Sequence, residues 1–303
     1  MESRDRRFPP LSQDVWLSEF AKYQRIPEFI ELKYDMSLSD FKFIYWWEWG
    51  HRFLGRLLGV AYLIPFLLFW LRGRIPAGWV LALFVPGLLI AVQGAIGWWM
   101  VASGLTERVD VAPYRLATHL GVAFLIFGLL IWNGFKLLRE GSAPSRSTAG
   151  SISGWVIALT SVQILSGALV AGLDAGRGYI DWPSMNGYFL PPEATELSPF
   201  WVNIFENPAL AQFDHRMLAY ALVLAVGVLW WRSRRSAIPS VRRYGSWVLI
   251  AALGQSLWGI LTLINAAPWH LAILHQFGAV ILLFLLLRLR FEARYPKRET
   301  GTA

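Results

Sequence analysis

The chain has 303 residues, of which 55% are hydrophobic and 16% charged, with a mean hydropathy of +0.43 and a net charge of +8. Soluble domains carry about 25% charged residues, and a soluble protein of this size could not bury so much apolar surface. The composition therefore excludes a soluble globular enzyme and indicates an integral membrane protein. Because the sequence contains no cysteine, disulfides, thiolate zinc sites, iron–sulfur clusters and cysteine nucleophiles are also excluded.

The first 43 residues form a polar segment that contains no hydrophobic core of a signal peptide. Within it, residues 16–34 combine aromatic and charged side chains, a pattern that predicts an amphipathic piece at the membrane surface. We therefore treat residues 1–43 as an N-terminal segment outside the bilayer.

Seven apolar runs follow, each long enough to supply the roughly 20 residues that a membrane-spanning helix needs. Their lengths and their content of Leu, Val, Ala and Gly predict an all-α integral membrane protein. The runs cover 44–71, 77–101, 113–138, 151–173, 209–231, 244–265 and 269–288.

The lysines and arginines of the connections lie mainly on one side of the predicted spans. That side carries 15 of them, at positions 72–74, 136–146, 232–243 and in the tail, whereas the opposite loops carry Arg108, Arg115 and Arg177. The positive-inside rule places the basic side, and with it the C-terminus, in the cytoplasm. The net charge is then a signal of topology, and it argues against a nucleic-acid partner.

The sequence contains an internal repeat that predicts two pseudo-symmetric helical bundles. A first bundle of three spans covers 44–140, a second bundle of four spans covers 141–292, and 293–303 form a cytoplasmic tail. Because one half has one span fewer, we expect a further helix to precede Met1. The repeated features, at offsets of 164, 156 and 162 residues, are His51-Arg52 with His215-Arg216, His119 with His275, and Gln93/Gly97 with Gln255/Gly259; Gln163/Gly167 is a third Gln-x-x-x-Gly.

The four repeated histidines are predicted to lie in one layer, about 9–10 Å from the outer ends of their helices at 1.5 Å per residue. Ionisable groups inside a membrane usually mark function, and paired imidazoles from facing helices are suited to axial ligation of a haem iron. The alternative for each is a buried histidine hydrogen-bonded to a neighbour. His270, beside Trp269 at the membrane boundary, lacks a repeat partner and is interpreted as interfacial.

Charged residues accompany these histidines. Glu48 lies one turn before His51, while Gln212 occupies the matching position in the other half. A carboxylate there can act as a base or stabilise positive charge, or it can simply pair with a nearby cation. Arg52 and Arg216 are suited to haem propionates, with snorkelling to the membrane surface as the alternative. The Gln-x-x-x-Gly motifs predict close helix packing.

Several of these segments resemble the haem A synthase family, in its cysteine-free branch. The most specific is 41–52, FKFIYWWEWGHR, and the resemblance extends from about residue 16 to 290. The others are 54–56 (LGR), 103–106 (SGLT), 114–120 (YRLATHL), 182–187 (WPSMNG), 213–216 (FDHR) and 275–276 (HQ).

The resemblance implies an oxidoreductase that oxidises the C8 methyl of haem O to a formyl group, in two steps with water as oxygen source, for cytochrome oxidase biogenesis. It implies haem b ligated by His215 and His275, and substrate haem O held between His51 and His119 with Glu48 in catalysis. The family has eight spans, so its first helix is expected upstream of Met1, with the loss of that helix as the alternative.

The resemblance also implies the cell inner membrane as location, with the lipid bilayer and haem O as partners and a haem O synthase and cytochrome oxidase assembly factors as candidate protein partners. The alternative function is a bis-histidine diheme b-type membrane electron carrier, for which Glu48 would have no use. A repeat-built transporter is disfavoured because the polar residues cluster near the outer surface rather than at the midplane.

Overall fold

A computed structural model describes residues 9–103, 110–139 and 143–296. Residues 1–8, 104–109, 140–142 and 297–303 lie outside these ranges, and they include most of the SGLT motif together with Arg108. The chain divides into two compact units, Met1–Arg115 and Leu116–Ala303. This boundary, between Arg115 and Leu116, lies near the start of the helix that begins at Pro113. The sequence instead predicts two bundles that meet at residue 140, and that division stays a prediction.

Seven of the ten α-helices in the described ranges are long and apolar enough to cross a membrane, which confirms the all-α membrane class and the seven spans. The described residues contain no strand, only an isolated bridge between Met185 and Tyr188. The spans are α3 (Leu38–Leu71), α4 (Val80–Ser103), α5 (Pro113–Leu137), α6 (Thr148–Gly172), α8 (Pro208–Arg234), α9 (Pro239–Ile264) and α10 (Trp269–Arg294).

Two short helices, α1 (Gln13–Tyr23) and α2 (Pro27–Leu32), form the predicted amphipathic piece of the first unit. Trp16 of α1 is buried against Phe41 and Tyr45 of α3, with ring centroids 6.4 and 5.0 Å apart. The aromatic residues of this segment therefore fix it to the outer end of α3. Further along, Tyr62 of α3 donates a 2.6 Å hydrogen bond to the carbonyl of Leu83 in α4.

The start of α3 differs from the prediction by six residues. Ser37 and Asp40 form a capping box in which each side chain accepts from the other residue's backbone N–H, at 3.3 and 3.1 Å. These bonds satisfy orphan amide groups of the first turn and extend the helix outward from residue 44 to Leu38. With 34 residues, α3 is about 51 Å long, well beyond the roughly 30 Å of the bilayer core.

The second unit contains a four-helix bundle in which the contacts run in a closed cycle, α6 to α8 to α9 to α10 and back to α6. As a consequence, α8 and α10 lie on one diagonal of the bundle, and α6 and α9 lie on the other. Val226, Leu229, Leu286 and Leu289 are fully buried in its core, together with Val248 from α9.

A buried carboxylate joins three helices at the basic ends of this unit. Glu292 of α10, only 2% exposed, receives hydrogen bonds from Arg139 after α5 at 2.8 and 3.1 Å and from Ser240 of α9 at 3.0 Å, and it pairs with Arg288 at 2.6 Å. A buried charge is tolerated when it is paired and fully hydrogen-bonded, as this one is.

The connection between α6 and α8 is an ordered loop over 173–207. It contains short 3-10 turns at Ala175–Arg177, Pro192–Thr195 and Phe200–Val202 and the four-residue helix α7 (Asn203–Glu206). Asn207 caps α8 by accepting from the backbone N–H groups of Ala209 and Leu210 at 2.9 and 3.2 Å. Its amide also donates to the Glu193 carbonyl at 2.7 Å, so the same residue ties the loop to the helix.

Candidate functional site

The four repeated histidines occupy equivalent positions when they are counted from the inner ends of their helices. His51, His119, His215 and His275 lie 20, 18, 19 and 19 residues before the last residues of α3, α5, α8 and α10. Counted from the outer end, the predicted similarity is wrong for α3, because His51 lies 13 residues past Leu38 once the capping box has extended that helix.

His215 is held by α6, the helix that neighbours α8 in the cycle. The Oγ of Ser166 lies 2.9 Å from Nδ1 of His215 and donates its own proton to the Gln163 carbonyl at 2.9 Å. Because a serine has one hydroxyl proton, Oγ then accepts from Nδ1–H, which leaves Nε2 as the acceptor nitrogen of the ring. The amide nitrogen of Gln163 donates to the His215 carbonyl at 3.1 Å and lies 3.1 and 3.2 Å from the two ring nitrogens.

His275 is supported by α9 in a related way. The amide nitrogen of Gln255 donates to the His275 carbonyl at 2.6 Å, as Gln163 does to the carbonyl of His215. The Nδ1 of His275 is buried and has no hydrogen-bond partner among the described residues. In the register of the motif Trp258 takes the place of Ser166, and its indole nitrogen donates to the Leu271 carbonyl at 3.1 Å.

The glycine of each Gln-x-x-x-Gly motif makes room for one imidazole. A Cβ on Gly167 would lie 3.0 Å from Cε1 of His215, and a Cβ on Gly259 would lie 2.8 Å from Cε1 of His275. The predicted packing role of the motif is therefore confirmed in both α6 and α9, where glutamine binds the backbone and glycine contacts the ring. The two imidazoles are half-buried and stand on one diagonal of the bundle, each against a glycine of the other diagonal, and their service as the axial ligands of a haem stays a prediction.

Arg216 and Gln212 hold the outer loop against α8. Both are buried, and Arg216 donates to Gln212 at 2.9 Å. The Arg216 guanidinium also donates to the carbonyls of Tyr179, Asp181 and Ser184 at 3.2, 3.0 and 2.8 Å. The amide of Gln212 donates to Ala175 and Tyr179 carbonyls at 2.7 and 3.2 Å. Both terminal nitrogens of Arg216 are thus bound to the loop, and its predicted contact with a propionate stays a prediction.

Asp181 organises the WPSMNG motif of this loop. Its carboxylate accepts from Ser184 at 2.6 Å and from the backbone N–H of Asn186 at 2.8 Å. The Ser184 hydroxyl and the Asn186 amide lower the pKa of Asp181 to about 2. Asn186 and Gly187 have positive φ values of 53° and 84°, conformations that asparagine and glycine tolerate best.

Tyr179 and Glu193 form a second hydrogen-bonded pair in the loop, with Tyr179 as the donor. Burial is the largest cause that raises the pKa of Tyr179 to about 12, and the hydrogen bond to Glu193 is the second. The same bond from Tyr179 lowers the pKa of Glu193. Tyr179 therefore stays a donor throughout the physiological range, and Met185 is packed beside it in the core of the loop.

In the first unit, Glu48 forms an ion pair with Arg52 one turn further along α3. This is the pairing that the sequence left open as an alternative to catalysis, while Lys42 instead lies over the ring of Trp16 at 5.3 Å. The pair repeats Gln212 and Arg216 of α8 in sequence register and in contact. It differs in burial, because the Glu48 side chain is 41% exposed whereas Gln212 is buried beneath its loop.

The remaining predicted residues lie as follows. His51 belongs to the first unit and His119, on α5, to the second, and their joint binding of a substrate haem stays a prediction. His270 contacts Trp269 edge to face at the start of α10, as its interfacial interpretation suggests. Sequence reasoning missed Ser166, although its place inside the Gln163/Gly167 motif, one residue before the glycine, was a usable signal.

The fold and the site together define a helical membrane protein whose second unit contains a four-helix bundle with one histidine, His215 or His275, on each of two diagonal helices. Residues 5–287 match the model of the family described as cytochrome oxidase assembly protein, COX15-CtaA. The chain belongs to this family.

Curated relatives carry the name heme A synthase. The protein of Dinoroseobacter shibae is 52% identical over 295 residues, and that of Paracoccus denitrificans is 48% identical over 295 residues. Each alignment covers 95% of this chain and 77% of the relative. The protein of Maricaulis maris is 44% identical, with 94% and 84% covered. No solved structure was found to match the chain.

Proposed function

We propose that this protein is a haem A synthase, a membrane oxidoreductase that converts the C8 methyl group of haem O into a formyl group for cytochrome oxidase biogenesis. The observation that carries the proposal is the 44–52% identity, over nearly the whole chain, to relatives of that name. The duplicated histidines are the chemical feature that fits it.

The second unit is proposed to hold haem b, with His215 and His275 as the iron ligands. The fit is supported by two glycine cradles, the close contacts of Gly167 with the His215 ring and of Gly259 with the His275 ring. It is also supported by the buried, unbonded Nδ1 of His275, which leaves that ring without a competing hydrogen bond in the described part of the chain. Haem b bound there would supply one-electron transfer. Ser166 would fix the tautomer of His215 so that Nε2 points to the metal, as outer-shell partners of ligating histidines commonly do.

Arg216 and the loop over 173–207 are proposed to close the outer end of this site. By binding carbonyls of the WPSMNG segment, Arg216 keeps the loop in place, and the buried Met185 and Ala194 keep water out of the bundle. A water-poor environment strengthens the electrostatic interactions around a cofactor. The predicted propionate contact of Arg216 would use the Nε atom, which has no partner among the described residues.

Substrate haem O is proposed to bind at His51 and His119, with Glu48 as the catalytic acid–base group and Arg52 as its partner. In the first oxidation, a water oxygen bonds to the methyl carbon, two protons pass to water and two electrons pass one at a time to an external electron acceptor, giving a hydroxymethyl group. A second such step gives a geminal diol, which loses water to form the aldehyde. Glu48 would accept a proton from the attacking water or stabilise a cationic intermediate, and the partial exposure of its carboxylate supports this role.

The test is expression together with a source of haem O, followed by chromatography of the extracted haem. We expect formyl haem with the unaltered chain and none with Glu48→Gln, while Glu196→Gln, in the outer loop, serves as the matched control. Accumulation of unmodified haem O beside a normal low-spin haem spectrum in the unaltered protein would instead identify the diheme electron carrier.

The same proposal includes the cell inner membrane, with the C-terminus in the cytoplasm. A haem O synthase and cytochrome oxidase assembly factors are the proposed protein partners, since haem O must be delivered and haem A passed on.

A further inference from the structure

An apolar groove of about 690 Å³ lies between α5, α6 and α10 of the second unit. Gly121, Gly128 and Trp132 line it from α5, Leu165 from α6 and Leu287 from α10. Leu165 packs against Gly121, where a Cβ would lie 2.7 Å from its Cδ2, whereas the nearest atom to a Cβ on Gly128 is 3.9 Å away, so the wall of α5 is open at Gly128 to an apolar occupant.

The length of the groove matches one leaflet of a bilayer. From Gly121 to Trp132 it follows 11 residues of α5, which is about 16 Å at the helical rise. Half of a bilayer core is about 15 Å. The groove begins at the inner end of α10, and Gly121 lies 16 residues, about 24 Å, from the inner end of α5, so the groove has the length of one acyl chain and reaches past the middle of the core.

Two arginines stand at the inner end of the groove without a counter-charge. Arg290 and Arg294 lie one turn apart on α10 and both line it. Arg290 donates to the Gly150 carbonyl at 2.6 Å, and no carboxylate of the described residues lies within ion-pair distance of either arginine. By contrast, Arg139 and Arg288 share Glu292 at 2.8 and 2.6 Å. Unbalanced cations beside an apolar groove favour an anion carried on an apolar chain.

We propose that this groove binds one anionic phospholipid of the inner leaflet, with an acyl chain along α5 and the phosphate on Arg290 and Arg294. Basic pockets between transmembrane helices on the cytoplasmic side bind lipids of this kind. The inference concerns a surface separate from the histidines and does not depend on the proposed haem chemistry.

The test is native mass spectrometry of the purified full-length protein titrated with phosphatidylglycerol or phosphatidylcholine. We expect one phosphatidylglycerol to bind more tightly than phosphatidylcholine. Arg294→Gln should weaken it about fivefold and the double variant Arg290→Gln/Arg294→Gln about 30-fold, since each arginine near the surface contributes about fivefold. The matched control is Arg242→Gln/Arg243→Gln, which removes two charges from the same side of α9, outside the groove, and should leave binding unchanged.

A second variant tests the groove without touching the arginines. A Cβ on Gly128 would lie 3.9 Å from Leu287, an ordinary contact, so Gly128→Leu should fold and fill the groove. It should displace phosphatidylglycerol. Retention of the lipid by Gly128→Leu or by the double arginine variant at the control level would overturn the proposal. So would competition by inorganic phosphate at equal concentration, which would indicate a site for the anion alone, or by haem O, which would assign the groove to the substrate.

Discussion

Replacing Gly259 by alanine tests whether the glycine cradles exist to admit metal-bound imidazoles. The added Cβ would lie 2.8 Å from Cε1 and 3.4 Å from Nε2 of His275. Carbon atoms in good contact lie 3.5–4.0 Å apart, so the ring must move by about 0.7 Å. Overpacking of this kind costs about 1–3 kcal/mol. In the free protein the ring can turn aside, but a ring bonded to iron cannot, so the cost falls on haem affinity.

At 1.4 kcal/mol per tenfold change, Gly259→Ala should weaken haem b binding by about 5- to 150-fold. The assay is the haem content of purified protein, with the low-spin absorption spectrum and a haem titration. Gly254→Ala in the same helix is the control, because nothing lies within 4 Å of its Cβ and alanine is the better helix former. Equal haem content and equal spectra for the two variants would refute the cradle and, with it, the ligand role of His275.

Three further predictions follow from the hydrogen bonds of the second unit. Ser166→Ala should remove the hydrogen-bond partner of Nδ1–H of His215, weaken haem binding about 10-fold and raise the midpoint potential of the haem, which a redox titration measures. The control is Ser153→Ala, which removes a similar hydrogen bond to a carbonyl three residues earlier and should leave the redox titration unchanged. Glu292→Ala should destabilise the protein by about 3–5 kcal/mol, because two arginines lose a buried partner; thermal unfolding in detergent measures this, and an unchanged midpoint would contradict it. Because the pKa of Asp181 is lowered, its carboxylate stabilises the loop at pH values above the unfolded pKa of about 3.9, and this stabilisation is lost as the pH falls through about 2. The fluorescence of Trp182 should therefore be constant down to pH 4 and change below it. The same profile in Asp181→Asn would contradict this prediction.

The membrane class, the seven spans and the repeat could all be predicted because they depend on local composition and on fixed spacings. The start of α3 could not be predicted from hydropathy, since Ser37 and Asp40 extend the helix through polar residues. The signal was present as a capping box, and it changes the position of His51 relative to the outer end of its helix.

The surroundings of the site residues were less accessible to sequence reasoning. The histidines and the Gln-x-x-x-Gly motifs were identified, but spacing along the chain does not reveal which helices are neighbours. In the bundle α6 and α9 each contact both α8 and α10, and only the packed side chains show that Gln163 faces His215 while Gln255 faces His275. The loop groups that accept hydrogen bonds from Arg216 are backbone carbonyls, which every residue type carries, so no sequence pattern predicts them.

The distance of the histidines from the inner helix ends has a consequence for proton traffic. Eighteen to twenty residues amount to about 27–30 Å, nearly the full thickness of the hydrocarbon core. If these helix ends mark one boundary of the core, each imidazole lies near the depth of the opposite boundary. On the proposed topology, the proposed oxidation at His51 and His119 can draw its oxygen from, and release its protons to, the outer compartment without a conducting path through the bilayer.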